Sequence, residues 1–117
     1  MSKVYVIIGF GYDGGNKVFD VYRNLDVAKA CMQVHELYNE EYNDFGNLDI
    51  VEFEIELLDD KVYLVVGTIG YDSEDLIDVC NTFESAELSI RHDDKERKRW
   101  YGESMYDEYE IVEVKPI

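Results

Sequence analysis

Two stretches of the chain show no alternation of apolar and polar positions. Residues 3–8 read Lys-Val-Tyr-Val-Ile-Ile and residues 61–66 read Lys-Val-Tyr-Leu-Val-Val. Short runs rich in β-branched and aromatic residues predict strands, and strands apolar on both sides are central ones covered on both faces. Each run leads into a segment rich in Gly, Asp and Asn or Ser, residues 9–17 and 67–75. These segments predict hairpin loops, with second strands at Val18–Tyr22 and Leu76–Cys80. Asn24 and Thr82 then stand where a helix N-cap is needed, their side-chain oxygens able to accept from the first free helical N–H groups. In the first helix Val27, Cys31, Val34 and Tyr38 fall at i, i+4, i+7 and i+11, which predicts one apolar stripe against a sheet. The second helix has Ala86 and Ile90 in matching register and turns polar through 91–99. Gly46 and Gly102 lie beyond the two helices. Third strands are expected at Asp49–Leu58 and Tyr109–Val114. In the first of them Val51, Phe53, Ile55 and Leu57 alternate with Glu52, Glu54 and Glu56, the period-two pattern of a half-buried strand.

The same elements therefore occur twice. Beyond the initial runs, Gly11-Tyr12-Asp13 returns as Gly70-Tyr71-Asp72, Asp20-Val21 as Asp78-Val79, Ala28 as Ala86, and Asp49-Ile50-Val51-Glu52 as Glu110-Ile111-Val112-Glu113. The period is roughly 58–61 residues, which reads as two copies of one unit. The expected fold class is α+β, with tandem ββαβ repeats at 1–60 and 61–117 packed with pseudo-twofold symmetry around a shared core. A unit of about 60 residues buries too little surface to be comfortable alone, and one helix covers only one face of its central strand. The second repeat is the natural cover for the other face, through one six-stranded sheet or through two sheets face to face. Leu58-Asp59-Asp60 leaves almost no linker between the halves.

Charge changes the picture most. Among 117 residues, 27 are acidic and 11 basic, giving −16. Residues 1–60 hold 13 acidic and 4 basic side chains, and 61–117 hold 14 and 7, so the acidity belongs to both repeats. Such a field repels nucleic acid and anionic membranes and attracts basic protein surfaces; it also keeps a protein soluble. No apolar run approaches the roughly 20 residues of a membrane span, and no signal-peptide pattern opens the chain. Cys31 and Cys80 occupy non-equivalent repeat positions and read as thiols in a reducing compartment. The expected location is the cytoplasm, that of the host cell if the chain is phage-encoded.

Residues capable of chemistry do not assemble into a known constellation. His35 and His92 lack metal-ligand spacing. Gly9-Phe10-Gly11-Tyr12-Asp13-Gly14-Gly15 follows a strand but precedes another strand, and Asp13 would oppose a phosphate. No serine sits in a nucleophile elbow, and neither cysteine has an activating neighbour in sequence. Glu40, Glu41, Asp44 and Asp49 lack the ordered loop of a calcium site. No cofactor, no metal and no enzymatic activity are expected. Arg91, Lys95, Arg97, Lys98 and Arg99 interleave with Asp93, Asp94 and Glu96. This pattern reads as a solvated helix with internal ion pairs, or as a positive patch meeting the acidic surface of another copy in a homodimer. Glu52, Glu54 and Glu56, spaced about 6.6–6.8 Å along a strand, resemble a row of phosphates, and Glu113 matches Glu52 in the second repeat. Sixteen charges equal those on about 27 Å of duplex DNA, against an expected diameter of about 35 Å.

The pattern of strand, acidic hairpin, strand, helix opening at Asn24-Leu25-Asp26-Val27-Ala28 and closing strand Asp49-Ile50-Val51-Glu52-Phe53-Glu54 resembles small α+β domains of bacteriophage proteins. In size, acidity and tyrosine content the chain is similar to phage early proteins that block host defence, several of which act as DNA mimics. The resemblance implies an inhibitor of a host nucleic-acid-handling protein, such as a restriction or CRISPR component, that binds a basic protein surface and neither nucleic acid nor membrane directly. Its binding surface would comprise Glu52, Glu54, Glu56, Asp13, Asp72 and Glu113. The alternative from another class is a small-ligand, nucleotide-like binder or sponge with a pocket between the repeats lined by Tyr5, Tyr12, Tyr63 and Tyr71. A third is a structural or assembly protein.

Overall fold

In the computed structural model, which describes residues 2–11, 15–42, 45–70, 73–103 and 105–117, the two unalternating runs are indeed the middle strands. Strand β1 (Ser2–Phe10) pairs antiparallel with β2 (Lys17–Tyr22) and β3 (Asn47–Ile55), and α1 (Leu25–Tyr42) connects those two. Strand β4 (Val62–Ile69) likewise pairs with β5 (Ser73–Cys80) and β6 (Glu108–Val114), which α2 (Phe83–Tyr101) connects. The protein is α+β with two separate three-stranded sheets, ordered β2-β1-β3 and β5-β4-β6. A single six-stranded sheet is thereby excluded.

Side-chain alternation distributes the middle strands over three apolar clusters. Val4, Val6 and Ile8 of β1 meet Val62, Leu64 and Val66 of β4 in one cluster, completed by Val21, Ile55 and Val79. The intervening Tyr5 and Ile7 pack with Tyr22 and Ala28 beneath α1, and Val65 packs with Cys80 and Ala86 beneath α2. The layers therefore run α1, first sheet, second sheet, α2. Both β1–β2 and β4–β5 carry a register shift at matching places, Val6/Ile8 and Val65/Val66, which locally increases strand twist.

The helix caps form as the side-chain chemistry predicts. Asn24 Oδ1 accepts from the amides of Asp26 and Val27 at 2.8 and 3.3 Å, and Thr82 Oγ1 accepts from Ser85 at 3.1 Å. Gly102, at φ +81°, ends α2 by donating its N–H to the Lys98 carbonyl, a conformation that costs a glycine little. Gly46 instead donates to the Phe10 carbonyl and ties the loop before β3 to the end of β1.

The rotation of α1 differs from expectation. Val27, Val34 and Tyr38 are 42, 54 and 60 % exposed, and Leu37 is 65 % exposed. The sheet-facing residues are Leu25, Ala28, Cys31 and Met32. Ala28 and Ala86 are both fully buried; a side chain this small lets a helix approach its sheet closely, and that approach sets the rotation. The pair that recurs between the halves marked the contact, whereas the larger aliphatic residues did not recur. Strand β3 also ends sooner than expected, so Leu57 and Glu56 lie beyond it.

The halves are bound at three further places. Asp59 and Asp60 take φ +56° and +57° between Leu58 and Lys61, which bridge each other, the two-residue geometry of a type I′ turn. At one end of β2 the Glu74 amide donates to the Asn16 carbonyl at 2.9 Å. At the other, Ile117 donates to the Val21 carbonyl at 2.8 Å and accepts from the Arg23 amide at 2.9 Å. The Arg23 side chain donates to the Pro116 carbonyl and pairs with Asp60 at 3.3 Å.

Val6→Asp puts an unpaired carboxylate between the sheets, at a cost of several kcal/mol against a total stability of about 5–15. Because that cluster draws on both halves, Trp100 fluorescence in α2 should report the same unfolding transition as far-UV circular dichroism. Fragments 1–60 and 61–117 should each be unfolded or self-associating on gel filtration, and should recover a compact complex when co-expressed. A folded, monomeric 1–60 would show that the half needs no partner.

Candidate functional site

Carboxylates line the outer, helix-facing side of each sheet. On the first sheet Glu52 stands opposite Tyr5 and Glu54 opposite Lys3, and Lys3 Nζ lies 3.7 Å from Glu52. On the second, Glu113 stands opposite Tyr63, pairs with Lys61 at 3.0 Å and accepts from the Tyr63 hydroxyl at 3.4 Å. The Lys61 hydrogen bond and charge hold the Glu113 carboxyl below its ordinary range, and the same pairing raises Lys61. Both groups face water, so screening keeps the stabilisation small.

This geometry locates the residues of the expected acidic row. Glu52 and Glu54 share one face of β3, and Glu56 follows directly after its last residue. Glu113 lies on the outer side of the opposite sheet, so both sheets separate it from Glu52 and Glu54. Tyr5 is 9 % exposed beneath α1, whereas Tyr63 sits on the α2 side, 6.1 Å from Phe83 in an edge-on contact. The structure does not bring these two tyrosines together. Tyr12, Asp13, Tyr71 and Asp72 lie outside the described residues, as does Asp44.

Two cavities lie instead where the two hairpins meet. One of about 390 Å³ is lined by Asn16, Lys17, Phe45, Thr68, Ser73 and Glu74 among others. A second of about 380 Å³ opens toward the inter-sheet cluster past Ile8, Phe10, Phe53, Leu76 and Tyr106. Asn16 and Glu74 border both.

A polar chain that sequence reasoning missed runs from this junction to α2. Asn16 Nδ2 donates to Asp75 Oδ1 at 2.8 Å, and the Tyr106 hydroxyl donates to Asp75 Oδ2 at 3.1 Å. Arg97 donates to Tyr106 at 3.1 Å and to Asp93 at 2.8 Å, and Asp93 also accepts from Tyr109 at 2.8 Å. The Arg97 guanidinium lies 4.5 Å from the centre of the Tyr106 ring, within cation–π range. That ring rests on Gly67, where a Cβ would stand 2.6 Å from it. Gly9 plays the corresponding part in the first sheet, beneath Phe19, Phe45 and Leu48. Both glycines belong to strands and not to the hairpin loops the sequence suggested. A glycine inside a strand is the signal of a close approach; Arg97 itself was hidden among the charges of its helix.

Of the basic cluster on α2, Arg97 and Lys98 form i,i+4 ion pairs with Asp93 and Asp94 at 2.8 and 2.9 Å. Arg91, Lys95 and Arg99 project outward and are exposed. No protein-family model, curated protein or solved structure matches the chain. Among the described residues no helix is long and apolar enough to cross a membrane, and Cys31 and Cys80 are free thiols.

Burial, then the Asp75 charge, pushes the Tyr106 hydroxyl up to about 12, and burial with Asp78 pushes the Cys80 thiol up to about 12. Both groups hold their protons more tightly folded than unfolded. Their contribution is complete below the unfolded values of about 10 and 8.5 and is lost as pH rises toward 12. Urea midpoints should therefore fall from pH 8.5 to 11. Tyr106→Phe should lower the midpoint at neutral pH by the worth of about one hydrogen bond, ~1 kcal/mol, and flatten the alkaline fall. An unchanged slope in that variant would remove Tyr106 from the titration.

Proposed function

We propose that this protein is a non-catalytic binder whose acidic surface occupies the basic, nucleic-acid-handling face of a partner protein. One observation carries the reading. The five acidic and five basic side chains of α2 cancel, so the entire −16 is borne by the other elements. No charged side chain among the described residues is buried. The body measures 40 × 36 × 19 Å, and sixteen charges match about 27 Å of duplex DNA, so the faces away from α2 carry together the charge of a duplex segment about two-thirds as long as the body. Among the described residues Glu54 and Glu56 have no ion-pair partner, while Glu52 and Glu113 are each half-neutralised by a lysine.

The same reading takes residues 1–60 and 61–117 as tandem ββαβ copies with a pseudo-twofold relation. The equal strand order, the matching register shifts and the Lys-Tyr-Glu groupings at Lys3, Tyr5 and Glu52 and at Lys61, Tyr63 and Glu113 support it. It also takes the chain to act in a reducing cytoplasm, in keeping with its free cysteines, and takes its target to be a host defence or nucleic-acid enzyme met by a phage inhibitor, with DNA mimicry as the mode. A second reading, a small-ligand binder, is favoured only by the junction cavities, whose volumes fall in the usual range for ligand sites. In that reading the pocket lies beside Asn16 and Glu74.

Affinity for a partner captured from a bacterial lysate should fall linearly in log–log form with salt. Reversing Glu52, Glu54 and Glu56 to Lys together should weaken it and shallow the salt slope, because the net charge moves six units toward zero. Salt-independent binding would contradict the proposal. Thermal shift with a nucleotide panel separates the second reading, since a true ligand at 100 times its Kd adds about 2.7 kcal/mol.

A further inference from the structure

The outward faces of the two helices, on opposite sides of the molecule, differ in a complementary way. On α1, Val27, Ala30, Val34 and Leu37 fall at alternating three- and four-residue spacings and all are exposed. This spacing makes a continuous apolar seam of the kind one helix offers another. Leu37 and Val34 are more than half exposed, and the helix around them carries Asp26, Glu36, Glu40 and Glu41 against a single Lys29. On α2 the outward face holds Leu88, Arg91, Lys95 and Arg99, with Lys98 beside them. Leu88 is 61 % exposed. Within one molecule the two sheets lie between these faces, so they cannot meet each other.

We infer that the α1 face is covered by the α2 face of a second copy of this chain, in a head-to-tail contact. Charge complementarity selects this occupant. With the two helices running in the same direction and residues 58 apart side by side, Glu40 and Glu41 stand beside Lys98 and Arg99 and Lys29 beside Glu87, three opposite pairs against the two like pairs of Asp26 with Glu84 and Glu36 with Asp94. Leu88 and the aliphatic stems of Arg91 and Lys95 supply apolar cover for the seam. Pairing α1 with α1 would instead bring two net-acidic faces together in a molecule already at −16. A head-to-tail contact leaves one free face of each kind at the ends, so association continues into rings or open chains and does not stop at a dimer. A helix of 18 residues offers a footprint of only about 300 Å² at a diameter of 10–12 Å. That is well under the ~800 Å² per partner of a stable complex, so the assembly is reversible and concentration-dependent. This inference is independent of the acidic-surface reading, since it needs no foreign partner.

Sedimentation velocity of the full chain from about 10 μM to 1 mM, at 0.15 M salt, tests it. The weight-average mass of the wild type should rise with concentration past that of a dimer. Val34→Gln with Leu37→Gln blocks one face, and Arg91→Glu with Lys95→Glu blocks the other. Each double variant should remain monomeric with an unchanged circular dichroism spectrum, because all four positions face solvent. An equimolar mixture of the two should double in mass and grow no further. Lys17→Glu with Lys115→Glu, which adds the same negative charge outside both helices and off the Val27–Leu37 seam, should assemble as the wild type does. A wild type that stays monomeric at 1 mM would overturn the inference. So would a dimer indifferent to Arg91→Glu with Lys95→Glu, which would point to α1 pairing with itself.

Discussion

A strand with two apolar faces cannot be satisfied by one helix, and everything else in this molecule follows from having two such strands. Val4, Val6 and Ile8 on one side of β1 need a cover that the first half does not possess, and Val62, Leu64 and Val66 need the same in the second. Placing the two sheets face to face satisfies both demands with one cluster. The helices are then free to cover Tyr5 and Ile7 on one outer side and Val65 on the other. The two inner sides thus share one cluster, and among the described residues a cavity opens beside it at the hairpin end, where the cluster tapers into polar residues.

Much of this architecture was legible in the residues. Unbroken apolar runs identified the middle strands, and Asn24 and Thr82 identified the helix starts. The rotation of α1 was not legible from hydrophobicity, because Val27, Val34 and Tyr38 outrank Ala28 on any scale of apolarity. Approach distance, and not apolar area, fixed which side faces the sheet. The choice between one sheet and two was also beyond the pattern, since period-two alternation says which residues share a face and is silent about what lies across it.

The same limit governs the candidate site. Alternation correctly put Glu52 and Glu54 on one side of β3, yet it could not show that Glu113 would be turned to the far side of the molecule. It could not show either that Tyr5 would be roofed by a helix. The polar chain from Asn16 through Asp75, Tyr106 and Arg97 to Asp93 joins positions up to 90 residues apart. None of its members is unusual in its local context. Only the two strand glycines, under Phe45 and Tyr106, hinted that something must lie close above them. Net charge was legible as a total; that one helix is internally neutral, leaving the whole excess on the remainder, emerges once the helix limits are fixed.

The turn at Asp59 and Asp60 is the only covalent passage between the two sheets, and it holds two adjacent non-glycine residues in the left-handed region. L-residues enter that region at a cost of about 1–2 kcal/mol each, less for Asp than for most. Straightening the turn releases that cost and sends the second half outward, while the inner face of the first half remains complementary to any copy of residues 61–117. The connection that keeps the halves together is thus also the point where a hinge would open, and a chain straightened there would need a neighbour's sheet to complete its core.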